Sequence, residues 1–231
     1  NTVGVTTGPN NDVDLYGVNA KYDLNKNTSI EAYGWAQIDH DDAVQGGLDK
    51  PAKVYTVGAL ASVSPVENLK ASAEMAYQTQ HNRILNVGGR ADTSASAWAF
   101  QALMSYDFKA KYAPSLGLDY TYLSNRWTAN YYDQPDVMNN IVQTLIPYTN
   151  LQAINLKGSM KPAEDVTLEA NLGWYRTGNK NRTFNAANTD SDNVNYGTYT
   201  LNGHKNLGQA LDLTATYDYT EDVQFGLTNG Y

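Results

Sequence analysis

The chain has no cysteine. Disulfide staples, thiolate nucleophiles and Cys-ligated metal sites are therefore excluded. It also lacks any apolar run near the ~18 residues of a membrane-crossing helix, and mean hydropathy is -0.52. That second absence does not exclude a membrane, because a barrel strand turns only half of its residues to lipid. Basic residues are scarce: 16 Lys and Arg stand against 24 Asp and Glu, for a net charge of -8. With no basic cluster, this balance argues against nucleic acid as a partner. No signal-peptide pattern is present and the chain opens at Asn1, as expected of a processed, trimmed or partial sequence.

What the chain does have is alternation. In Ala210–Gly230, Leu211, Leu213, Ala215, Tyr217 and Tyr219 interleave with Asp212, Thr214, Thr216 and Asp218. After Thr220–Asp222 the pattern resumes with Val223, Phe225 and Leu227 against Gln224, Gly226 and Thr228. Successive strand side chains point to opposite faces, so this reads as a hairpin with one apolar and one polar face. The unit recurs over Asp12–Leu24, Ser29–Asp39, Lys53–Ser64, Leu69–Gln80, Ser96–Phe108, Ser115–Asn125, Asn150–Met160 and Val166–Thr177. A helical period would place Lys70, Glu74 and Tyr77 on one stripe and destroy the sorting. The 18 tyrosines also favour strand. The reading is all-β: an antiparallel transmembrane β-barrel with about ten strands present and no domain boundary within 1–231.

Connections alternate in length. Asn25–Thr28, Ser64–Asn68, Lys109–Pro114, Lys161–Asp165 and Thr220–Asp222 are short; His40–Ala52, His81–Ala95, Arg126–Thr149 and Gly178–Asn206 are long. Within the third of these, Val137–Ile146 is expected to form a short helix. Outer-membrane barrels have short periplasmic turns and long extracellular loops, which assigns sides. Tyr22, Tyr106, Phe108, Tyr217 and Tyr219 then lie by the periplasmic turns. Tyr55, Tyr77, Trp98, Tyr120, Tyr122 and Trp174 lie by the loops, giving two aromatic girdles. Both chain ends fall on the extracellular side in this orientation. The expectation is a section of a larger barrel, lacking strands at both ends.

The polar face is the candidate site. Its lumen-facing charges are Lys21, Asp23, Glu31, Lys70, Glu74, Asp107, Asp119, Lys157, Glu169, Asp212 and Asp218, a set that leans acidic. Alternation also places Trp35 inside, because Glu31 and Gln37 face that way. The arginines, Arg83, Arg90, Arg126, Arg176 and Arg182, sit in or beside loops. Inward charges of this kind wet a lumen, form cross-strand ladders and bias selectivity.

Several segments resemble the alginate-export-like family of bacterial outer-membrane barrels. They are DVDLYGVNAKYDL (Asp12–Leu24), ENLKASAEMAYQTQ (Glu67–Gln80), LGLDYTYLSN (Leu116–Asn125), NLQAINLKGSMKPAEDVTLEANLGWYR (Asn150–Arg176) and LGQALDLTATYDYTEDVQFGLTNGY (Leu207–Tyr231). The resemblance implies a monomeric channel of about eighteen strands in a Gram-negative outer membrane. It implies passive passage of hydrophilic solute or polysaccharide, with no catalytic residue and no cofactor.

Other constellations read blandly. Asp39-His40-Asp41-Asp42 is a solvated acidic loop rather than a metal site. Gly88-Gly89-Arg90 is a turn rather than a phosphate cradle. Trp127, Tyr131 and Tyr132 offer rings that stack on a sugar or plug the bore. Expected partners are outer-membrane lipid and lipopolysaccharide, the transported solute, and periplasmic or surface proteins. A scaffold barrel, plugged by its loops and anchoring a surface or electron-transfer assembly, is the alternative role.

Overall fold

The computed structural model describes residues 13–39, 52–81, 94–127, 149–178, 183–185, 198–200 and 203–231. In chain order the first eight strands are β1 (Val13–Asn25), β2 (Thr28–Asp39), β3 (Ala52–Val66), β4 (Leu69–His81), β5 (Ser94–Asp107), β6 (Ser115–Leu123), β7 (Leu151–Ala163) and β8 (Val166–Thr177). With β11 (Asn206–Thr220) and β12 (Val223–Gly230) they form one ten-stranded antiparallel sheet, each strand beside the next. A separate two-stranded pair, β9 (Thr183–Asn185) and β10 (Thr198–Thr200), lies in the connection read from sequence as loop. Three residues are too few for a period of two to show. The helix expected over Val137–Ile146 lies outside the described residues.

Local chemistry sets the hairpins. Four of the tight turns are two residues long, at Lys26-Asn27, Glu67-Asn68, Glu164-Asp165 and Glu221-Asp222. Asn25 Oδ1 accepts from the Asn27 N–H at 2.8 Å, an Asx turn, while Asn68 takes the left-handed conformation at φ 69°. β3 and β7 run further than alternation alone predicts, because each carries a proline just before its turn. The registers shift between Val63 and Val66 and between Met160 and Ala163, around Pro65 and Pro162. Proline has no N–H to give a ladder, so a bulge at a strand end is where it fits. The preceding residues still pair on their other side: Ser64 N–H donates to Asn27 O and Lys161 N–H to Tyr112 O, both at 2.8 Å.

Register carries the alternation from strand to strand. Ile30, Ala61, Ala73, Ala102, Tyr120, Ile154 and Trp174 are cross-strand partners in one row of the apolar face. Ring pairs flank such small side chains. Tyr77–Trp98 (4.5 Å between centroids) and Tyr55–His81 (6.3 Å) lie toward the long connections. Tyr106–Phe108 (4.8 Å) and Tyr219–Phe225 (6.1 Å) lie by short turns, and Phe100–Tyr120 (6.1 Å) falls between. This face is exposed along its length. Val57, Met75, Met104, Leu118 and Leu213 are all half-exposed.

The sheet is bent toward its polar side. One cavity of ≈ 780 Å³ is touched by Lys21 of β1 and Lys157 of β7, with residues of the strands between them also in its wall. A flat sheet would hold β1 and β7 about 29 Å apart at the usual ~4.8 Å strand spacing. A trough that both strands line requires strong curvature. Among the described residues β1 pairs only with β2 and β12 only with β11.

The buried core is small and unexpectedly placed. Leu123, Leu151, Ala153, Tyr175 and Ala210 cluster on the polar face at the long-connection end, with Ala99, Trp127 and Leu207 packed against them. A neck of backbone bonds holds the β6–β7 connection here. Ser124 O accepts from the N–H groups of Trp127 (3.1 Å) and Asn150 (2.9 Å), and Ser124 N–H donates to Trp98 O at 2.9 Å.

Candidate functional site: the concave polar face

Register puts every charged residue of the sequence-derived set on one face. Lys21 partners Glu31, and Asp23 partners Ser29. Lys70 sits beside Ser105, Glu74 beside Leu60 and Gln101, and Asp107 beside Ser115. Lys157 pairs with Gly117 and Asn171, while Asp119 pairs with Asn155. Glu169 and Asp212 partner Thr214 and Asn171, and Asp218 stands beside Gln224. It is the concave face, opposite the row of Ile30, Ala61 and Ala73.

Most of these charges are already engaged. Lys70 Nζ lies 3.5 Å from Asp107 Oδ2, with both groups largely exposed. Lys157 Nζ lies 3.5 Å from Asp119 Oδ2, a carboxylate that is almost wholly buried. The Thr121 hydroxyl also donates to Asp119, at 3.3 Å. Glu31 accepts from Asn19 Nδ2 at 3.1 Å, and Asp218 accepts from Gln224 Nε2 at 2.6 Å. Glu74 accepts from the Tyr33 hydroxyl. Lys21 and Lys26 make no ion pair among the described residues.

Two aromatic side chains on this face depend on glycine. The Trp35 ring lies over Gly17 of β1, and the Tyr33 ring over Gly58 of β3, where a Cβ on either glycine would collide with the ring. Both rings come from β2 and lean to opposite neighbours. Alternation gave their side of the sheet. It gave no sign of the strand each would lie across.

Toward the long connections the concave side chains of β3 to β8 are largely buried. Gln78, Gln80, Asn155 and Thr177 are at most 1% exposed. Gln78 Nε2 donates to Thr56 Oγ1 at 3.1 Å, and Gln80 Nε2 to Arg126 O at 2.6 Å. Tyr175 Oη donates to Asn155 Oδ1 at 2.8 Å. Arg176 falls on the other face, beside Gln152, and His81 packs edge-on to Tyr55 there. His40, Arg83, Arg90, Arg182, Tyr131 and Tyr132 lie outside the described residues. No three His, Asp or Glu side chains converge as a metal site would require, among the described residues.

The comparison with protein families follows the same strands. The sequence model of a family described as alginate export matches residues 58–230, from the middle of β3 to the last residue of β12. The chain belongs to the alginate export family. Membership therefore rests on β3 to β12. Of the segments that carried the resemblance, Asp12–Leu24 lies before the matched residues, and the other four lie within them apart from Tyr231. No curated protein sequence matches the chain. The alginate export match takes in Lys70, Glu74, Asp107, Asp119, Lys157, Glu169, Asp212 and Asp218, whereas Lys21, Asp23 and Glu31 precede it.

Proposed function

We propose that the chain contributes ten strands to a larger outer-membrane β-barrel of about eighteen strands. Hydrophilic solute or polysaccharide passes through its water-filled lumen without chemical change. The observation that carries this reading is the opposition of the two faces. The convex side is a continuous exposed apolar surface, and the concave side holds every inward charge named above. A soluble sheet would cover its apolar face with a second layer. A membrane barrel leaves that face to lipid and lipopolysaccharide, and it closes β1 and β12 onto further strands so that no edge stays open.

The turns supply the orientation: tight hairpins toward the periplasm, long connections toward the outside. Membership of an export family supports the direction of traffic. The full-length protein in planar bilayers tests the reading. Steady ohmic conductance is expected, and its absence at every voltage contradicts a channel.

A further inference from the structure

The convex face of β2 to β5 is apolar for most of its length and carries no acid among the described residues. Its basic side chains there, Lys53 and His81, are cross-strand partners at the long-connection end, and Ser94 stands beside His81. Lys53 makes no ion pair among the described residues. The nearest acid on this face, Asp14 of β1, is two strands away beyond Ile38, at about 10 Å for the usual strand spacing. A lysine opposite a histidine gains nothing from cross-strand pairing. With the Ser94 hydroxyl, the pair aims three hydrogen-bond donors at one stretch of surface, and His81 and Ser94 are exposed.

From this row the face changes in steps along the strands. Tyr55, Thr79 and Ser96 come next, again as cross-strand partners, and then Val57, Tyr77 and Trp98. The Tyr55 ring meets His81 edge-on at 6.3 Å, and the Tyr77 and Trp98 rings lie 4.5 Å apart. Three tiers therefore follow one another: cationic donors, then hydroxyls, then apolar side chains and rings.

Resting on the barrel reading above, we propose that this β3–β5 strip is a binding site for a phosphorylated glycolipid of the outer leaflet, the lipid A part of lipopolysaccharide. Lys53 and His81 take a phosphate, and the Thr79 and Ser96 hydroxyls take the sugar. The acyl chains lie along Val57, Tyr77 and Trp98, where rings sit at an interface. The order of the tiers selects this occupant. A free phosphate would use the first tier alone, and a diacyl phospholipid has no sugar to meet the second.

Native mass spectrometry of the full-length, detergent-folded protein tests the site, with bisphosphorylated lipid A as the probe. The first lipid A should bind Lys53→Gln/His81→Gln about tenfold more weakly than the parent, as expected of two exposed charge contacts. Lys70→Gln, on the concave face, should bind it as the parent does. A second comparison needs no variant: lipid A stripped of its phosphates should bind the parent about tenfold more weakly. Equal binding by the double variant, equal binding of the stripped lipid, or equal binding of phosphatidylglycerol overturns the site. The barrel reading fails separately. Nitroxides at Ala71 and Ala102 that report lipid, with the double variant binding like the parent, sink the site and leave the barrel. Labels that report water, with the binding pattern intact, contradict the barrel and leave the glycolipid site standing.

Discussion

The Tyr33 hydroxyl of β2 donates a hydrogen bond to Glu74 of β4, passing over Gly58 of the strand between them. Glycine usually weakens a strand, since it orders at a high entropic cost and packs nothing. Here its missing side chain is the path of the bond. Trp35 uses Gly17 on the opposite side in the same way, so β2 is braced to both neighbours through the concave face.

Replacing Gly58 with valine sets two effects against each other. Strand propensity favours valine by up to about 1 kcal/mol. Displacing the Tyr33 ring costs about 1–3 kcal/mol and breaks the bond to Glu74. Gly58→Val should therefore destabilise the native protein in urea titrations from detergent micelles. In a Tyr33→Ala background the same change should become neutral or stabilising, a coupling of about 0.5–3 kcal/mol. Additive effects would show that the ring and the glycine are independent.

The buried pair at the other end of the sheet makes a second case. Tyr175 is 3% exposed, and the Asn155 carbonyl it bonds belongs to a fully buried residue. Tyr175→Phe keeps the ring in the apolar cluster and removes one buried hydrogen bond, at about 0.5–1.5 kcal/mol. Leu151→Ala, inside the cluster, should cost about 2–5 kcal/mol. A Tyr175→Phe protein as stable as the parent in urea would mean the hydroxyl contributes nothing.

The ten long strands and the facing of their side chains were legible because alternation is a local, period-two property, whereas β9 and β10 are too short to show it. Lys70 and Asp212 share a face for the same reason that Ala71 and Leu213 share the other. What was not legible depends on which residues oppose one another across strands. The Tyr33–Gly58–Glu74 bridge needs a register that no single strand records. The apolar patch of Leu123, Leu151 and Tyr175 sits on a face that is polar elsewhere, and it packs against Ala99, Leu207 and Trp127 of the adjoining connection. The acidic lean of the concave face was visible in composition. Which of these charges pair with one another, as Lys70 does with Asp107 and Lys157 with Asp119, was not, since register decides it.

Prolines at the bulges are expected to help, not hurt. Pro65 and Pro162 occupy register shifts where the ladder has no use for their missing N–H. Pro65→Ala and Pro162→Ala should each lower stability by about 0.4–1 kcal/mol, through a freer unfolded chain. Ala73→Pro, in the middle of β4 with ladders on both sides, should prevent assembly as judged by heat-modifiable gel migration. A tolerated Ala73→Pro would contradict the register.

A charge placed on the convex face should be costly in lipid. Ala102→Arg, in the row with Ala73 and Tyr120, is predicted to cost about 2–4 kcal/mol in bilayer-folded protein. Gln101→Arg, one residue away on the concave face, should change stability little. Equal costs at the two positions would mean that the faces do not meet different solvents.

The most direct test is a nitroxide scan of adjacent residues in the full-length protein folded into lipid. Labels at Ala71, Ala102 and Leu213 should be relaxed by dissolved oxygen, and those at Lys70, Gln101 and Thr214 by a water-soluble nickel chelate. The two readings should swap at every step along β4, β5 and β11. Uniform relaxation along a strand, or the reverse assignment, would contradict an apolar face turned to lipid around a wet interior.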